Sequence, residues 1–196
     1  MTANNSNLSC GEHFKARATE NAVDFYGDVT PERVTSVIAT LKHLDDAHPG
    51  EPITLKINSS GGSIIDGFLL IQTMMEEIRS PITTHVVGTA KGVAAAIAMA
   101  GDYRLISRSA TIGLDAPYPG FWGSAARWES WLEEMAEQRE MLHGFYAERC
   151  LKTYNQAEAE KLIHLSSSVF GIRAQALGFV HEVYAGSVKN YELQPH

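Results

Sequence analysis

The stretch VVGTAKGVAAAIAMAGD, residues 86–102, constrains the fold more than any other part of the chain. An apolar strand meets Gly88, then Gly92, and passes into an Ala-rich helix that ends at Gly101. Strand, glycine turn and helix in direct succession specify an α/β unit, and several hydrolases use this layout to present a nucleophile and an oxyanion hole. Here the turn reads Thr89-Ala90-Lys91-Gly92, with no Ser or Cys at its tip.

The flanking sequence repeats the alternation. AVDFYGDV reads as a short strand, and Thr30 before Pro31 and Glu32 opens a helix whose Val34, Val37, Ile38 and Leu41 recur at helical spacing. ITLKIN is a strand, SSGGS a tight turn, and IIDGFLLIQTMMEEI a helix with a broad apolar face. SPITTHVVG, YRLIS and ATIGL complete a β-α-β-α-β-α-β order, which predicts a largely parallel sheet with right-handed crossovers. Beyond Pro117 one long helix is expected over about 123–153. Its apolar stripe of Trp128, Leu132, Met135, Leu142 and Tyr146 is broken by Arg139. AEAEKLIHL reads as a further helix, and FGIRAQALGFVHEVY as helix, Gly178 cap and final strand.

Composition narrows the function classes. A net charge of −7 without a Lys/Arg patch argues against a nucleic-acid partner. Cys10 and Cys150 can form no disulfide framework, and their spacing fits no metal site. Residues 1–20 are polar and are expected to form a flexible arm without a signal peptide, leaving 21–196 as one domain. No apolar run reaches the ~18 residues of a membrane span. The expected setting is cytoplasmic, with no cofactor and no metal.

Taken together, residues from about Asp24 to Val183 resemble the proteolytic subunit of the Clp protease (ClpP-like), within the Clp/crotonase superfamily. KINSSGGSIIDGFLLIQTM is similar to that family's strand, Asn-Ser-Pro-Gly-Gly turn and helix, with Ser60 where proline is usual. PGFWGSAARWESWLEEM is similar to its Gly-rich strand and handle helix, and AQALGFVHEVY to its closing segment. The resemblance implies an α/β ClpP/crotonase-type spiral of ββα-like units with a protruding handle helix that takes part in subunit contacts.

The family's nucleophile lies in a Gly-x-Ala-Ala-Ser motif. GVAAA could be laid on it, putting Ala96 at the serine, or GTAKG, putting Gly92 there. The Ala-Gly pair that closes the following helix falls ungapped on Ala100 and Gly101 only in the second register. The resemblance therefore implies Gly92 at the nucleophile position, Asp115 at the histidine and Ser166, in looser register, at the aspartate. Gly62 and the Val93 amide occupy the oxyanion positions. Without a hydroxyl nothing attacks a scissile carbonyl, and in subtilisin-type enzymes loss of the serine alone costs roughly 10⁶ in turnover.

Two rival chemistries remain. The superfamily's acyl-thioester enzymes share the Val93 amide, but their hydratase glutamates fall on Ala96 and Ala116, with Asp115 one residue away. A rebuilt peptidase could use Lys91 with Asp115, or Ser59, Ser60 or Ser63, although serines beside a Gly-Gly turn usually bond to the local backbone. His85, His164 and His181 are expected to be satisfied or surface histidines. The implied function is a catalytically silent, ring-forming subunit, homo-oligomeric or mixed with active subunits. Its implied partners are an AAA+ unfoldase and unfolded polypeptide. The chain has no phosphate-binding Gly-x-x-x-x-Gly-Lys-Ser/Thr loop of its own.

Overall fold

The computed structural model describes residues 21–114, 125–152 and 168–185, organised around one mostly parallel sheet. Strands β1 (Ala22–Tyr26), β2 (Ile53–Ser59), β3 (Ile82–Lys91) and β4 (Tyr103–Ser107) lie side by side in chain order. Parallel neighbours need a crossover, supplied by α1 (Pro31–Ala47), α2 (Ile64–Gln72) and α3 (Val93–Ala100). Past β5 (Thr111–Gly113) come α4 (Ala125–Arg149), β6 (Ser168–Phe170), α5 (Gly171–Leu177) and β7 (Glu182–Tyr184). Strand β7 pairs in parallel with β4.

Alternation along the strands sets the two faces. Phe25, Ile57, Val86 and Ile106 are aligned across β1 to β4, and all four are fully buried. Burying such a side chain is worth about 1.5–3 kcal/mol. One residue earlier, Asp24, Lys56 and His85 form a polar row on the opposite face. Helix α1 starts where expected, with Thr30 Oγ1 accepting from the Arg33 N–H (3.4 Å) and Pro31 in the first turn. Its Val34, Val37 and Leu41 enter the core.

Helix α2 ends differently from a simple helix. Residues Thr73–Glu77 widen into a π turn, and the Ile78 N–H reaches back to the Thr73 carbonyl (3.1 Å). The turn that follows is held from α1. Asp45 accepts from the Ser80 and Arg79 backbone N–H groups (2.8 and 3.4 Å) and from Arg79 Nε (3.1 Å). Burial would raise the Asp45 carboxyl, but these donors outweigh it and hold its pKa at about 2.

Strand β3 is longer than expected and changes partners along its length. Residues Thr83–Val86 pair with β4, whereas Thr89–Lys91 pair with β5. The step from Ile57↔Val86 to Ser59↔Ala90 absorbs two extra residues of β3 beside β2. Strand β6, not foreseen, runs antiparallel to β5. The small β3-β5-β6 layer so formed carries the turn into α3.

The long helix spans Ala125–Arg149, inside the expected 123–153. The Cys150 N–H still reaches back to the Tyr146 carbonyl (3.0 Å), and beyond it the backbone turns to partners outside the helix. The Arg149 carbonyl accepts from Arg104 Nη1 (2.6 Å), and the Leu151 N–H donates to the Gly178 carbonyl (2.9 Å). The apolar stripe divides in two. Leu142 and Tyr146 are buried in the core, whereas Trp128 and Leu132 are 44% and 46% exposed. The N-terminal part of α4 thus projects as a handle. The expected helix AEAEKLIHL and the polar arm lie outside the described residues.

Candidate functional site

The site is built where the C-terminal ends of β2 and β3 meet the N-terminal ends of α2 and α3. Gly92 links β3 directly to α3 with φ 51° and ψ −129°. That combination lies outside every region favoured by side-chain-bearing residues, and αL itself has ψ of about +47°. It is the strained strand-to-helix elbow on which hydrolases of other folds raise a nucleophile. Here the elbow residue has no side chain.

Four contacts fix the elbow. The Gly92 N–H donates to the Gly113 carbonyl on β5 (3.0 Å). The Gly92 carbonyl accepts from the Ala95 N–H (2.8 Å), the Ala96 N–H (3.3 Å) and the hydroxyl of Tyr146 (2.9 Å). Tyr146 is 1% exposed, so the base of the handle is packed onto the elbow. At the other end of α3, Arg149 donates to the carbonyls of Met99, Ala100 and Gly101 (3.1, 3.1 and 3.3 Å). A cation at a helix C-terminus also complements the helix dipole. In the sequence Tyr146 reads as part of an apolar stripe, which does not reveal the bond its hydroxyl makes. The only signal was a residue with a polar tip at the end of that stripe.

The second wall is the turn 59–63. Gly62 has φ 146°, and a Cβ there would collide with the Val29 backbone, so this close approach requires glycine. A Cβ on Gly61 would sit 2.9 Å from the Lys91 carbonyl, which puts the turn in contact with the elbow. Gly67 performs the same service one turn into α2, where a Cβ would strike the Val93 side chain. The two helix starts can therefore come together. The Gly61 carbonyl and the Ser63 N–H bond to Val29 (2.8 and 2.9 Å). Among the described residues, no turn or capping bond takes up the Gly62 or Val93 N–H. Val93 is the first residue of α3, so its N–H belongs to the positive end of the helix dipole.

The remaining expected site residues separate clearly. Ser59 is buried, and its Oγ accepts from the Gly61 N–H (3.2 Å). Ser63 caps α2 by accepting from the Asp66 N–H (3.3 Å). Both hydroxyls are engaged in shaping the turn. Ser60 is exposed, and Lys91 is half-buried as the last residue of β3. Ala96, the alternative nucleophile position, is fully buried inside α3, a turn beyond the elbow. Asp115, Ala116, Ser166 and His164 lie outside the described residues.

The other two histidines sit away from the elbow. His85 Nε2 lies 3.0 Å from Ser107 Oγ, and its ring meets Tyr184 edge-on at 4.9 Å. Burial, with Lys56 alongside, pushes its pKa down to about 4. His181 Nδ1 accepts from the Arg104 N–H (3.1 Å), and its ring stacks on Tyr103. Burial, then Arg104 and Arg149, lower its pKa as well. Both rings are held as neutral, bonded groups on the sheet.

A family profile described as Clp protease matches residues 6–186. The ATP-dependent Clp protease proteolytic subunit 1 of Shouchella clausii (strain KSM-K16) is 30% identical over 141 residues, which cover 70% of this chain and 72% of that protein. Among the described residues, no helix is long and apolar enough to cross a membrane.

Proposed function

Because the chain belongs to the Clp protease family, we propose that it keeps the family's scaffold and oxyanion cradle but cleaves no peptide bonds, acting as a ring-forming structural or regulatory subunit. One observation carries this reading: the tip of the β3–α3 elbow is Gly92, where an acyl-transfer enzyme needs a hydroxyl or thiol. The register adds Asp115 at the base position, and a carboxylate with an ordinary pKa of about 4 is a poor proton acceptor for a serine at neutral pH. The surviving Gly62 and Val93 amides support retention of a groove able to hold an extended polypeptide without cutting it.

The projecting part of α4, with Trp128 stacked on Trp131 at 5.0 Å, supports a role in subunit contacts. Ring partners would be copies of this chain or active relatives. An ATP-driven unfoldase of the AAA+ class would supply polypeptide, within a cytoplasmic assembly.

Restoring the lost groups tests both register and function. Gly92→Ser combined with Asp115→His is expected to gain labelling by a fluorophosphonate, read as added intact mass at residue 92, while the natural chain gains none. Labelling of the natural chain at Ser59, Ser60 or Ser63 would overturn the reading. Labelling gained by Ala96→Ser and not by the double variant would shift the register by four residues.

A further inference from the structure

Helix α3 has the elbow at one end and, about 12 Å away at 1.5 Å per residue, a second feature at the other. A cleft of about 410 Å³ opens there, lined by Met74, Met75, Ile78, Arg79, Asp102 and Arg149, among others. Its size falls at the lower end of the roughly 300–1,000 Å³ typical of small-molecule sites.

Two charged groups of this cleft, Arg149 and Asp102, are held by backbone and not by each other, with the Arg104 guanidinium within electrostatic reach of both. Arg149 uses Nε and Nη2 on the Met99, Ala100 and Gly101 carbonyls, and among the described residues none of its bonds involves Nη1. Asp102 accepts the Ile82 N–H on Oδ2 (2.8 Å) and returns its own N–H to the Ile82 carbonyl (2.9 Å). None of these bonds involves Oδ1. Among the described residues, no ion pair joins Arg149 to Asp102, although both line the same cleft. Arg79, by contrast, is engaged by Asp45 and Asp46 at 3.1 and 3.0 Å. Alongside lie Met74, Met75 and Ile78. Methionines are polarisable and adapt to differently shaped apolar partners.

A fixed cation and a fixed anion, kept apart beside an apolar wall, complement one chemical class. A simple fatty carboxylate would satisfy Arg149 but meet repulsion from Asp102, and an amine would do the reverse. An α-amino acid carries both charges on one carbon together with a side chain. We propose that this cleft binds an apolar α-amino acid as its zwitterion, with the carboxylate on Arg149, the ammonium on Asp102 and the side chain against Met74 and Met75. The site is separate from the elbow, and it stands whether or not the chain cleaves peptides. Because Arg149 also caps α3, occupancy acts on the same helix that starts at Gly92.

Titration calorimetry of the purified full chain with L-leucine tests this directly. Saturable binding is expected for leucine. Leucinamide, which lacks the carboxylate, 4-methylpentanoate, which lacks the ammonium, and glycine, which lacks the side chain, should each bind at least about tenfold more weakly. Asp102→Asn retains an acceptor for the Ile82 N–H and should weaken leucine binding by a similar factor. Met75→Glu, at a position 45% exposed and so safe for folding, should do the same by placing a carboxylate on the apolar wall. No saturable heat with leucine up to about 10 mM would overturn the proposal. So would equal binding of 4-methylpentanoate, or leucine binding unchanged in both variants.

Discussion

Substituting Gly92 by alanine tests whether the elbow is strained as its backbone indicates. At φ 51° and ψ −129° a Cβ is forced into a region that only glycine occupies without penalty. Such residues cost of the order of 1–3 kcal/mol. Alanine also reduces the freedom of the unfolded chain, but where the native conformation is incompatible the penalty exceeds that gain. A net loss of about 1–2 kcal/mol is expected, or roughly 2–8 °C in Tm for a chain of this size. Urea denaturation at fixed protein concentration measures it, with an unchanged slope identifying a pure stability effect. Gly144→Ala is the control. Gly144 lies within α4 with nothing inside 4 Å of an added Cβ, and the change should stabilise by about 0.5–1 kcal/mol. If Gly92→Ala matched the natural protein, or gained stability as Gly144→Ala does, the strained elbow would be refuted. A serine at residue 92 would carry the same backbone cost, so glycine there is a source of stability.

Tyr146→Phe removes one donor from a carbonyl that keeps two others, at Ala95 and Ala96. The loss should stay near 1 kcal/mol by urea denaturation; a loss above about 3 kcal/mol would mean that the hydroxyl supports more than this bond. His85 supplies a pH test. Its folded pKa of about 4 lies below the ordinary 6.5, so the unfolded chain takes up a proton first as pH falls. Its contribution to stability is complete above pH 6.5 and declines toward pH 4. The urea midpoint of the natural chain should therefore drop further between pH 7 and pH 5 than that of His85→Gln; equal drops would show that another group governs the decline.

Much of the fold was legible because period and punctuation agreed. Thr30-Pro31 marked α1, and the aligned β-branched residues of β2 and β3 marked a buried parallel sheet. What escaped depended on contacts remote in sequence. Gly88 reads as the end of a strand, yet β3 continues to Lys91 because β5 supplies new partners and Asn58 fills the space a Cβ would need. The π turn at Thr73–Glu77 has no local signature in a run that remains apolar and helix-favouring. Strand β6 is three residues long and exists only because β5 lies opposite. The elbow was legible as a place, since glycines and an Ala-rich helix are visible in one stretch. Its support by Tyr146 was not, because 54 residues separate the hydroxyl from the Gly92 carbonyl.

Hydrolysis of fluorogenic peptides by the purified natural chain, beside Lys91→Ala and Asp115→Ala, decides whether the elbow cleaves peptide bonds. No turnover above buffer is expected for any of the three. Turnover by the natural chain that disappears in either variant would mean that the site has been rebuilt, and the assignment as a non-cleaving Clp-family subunit would be wrong.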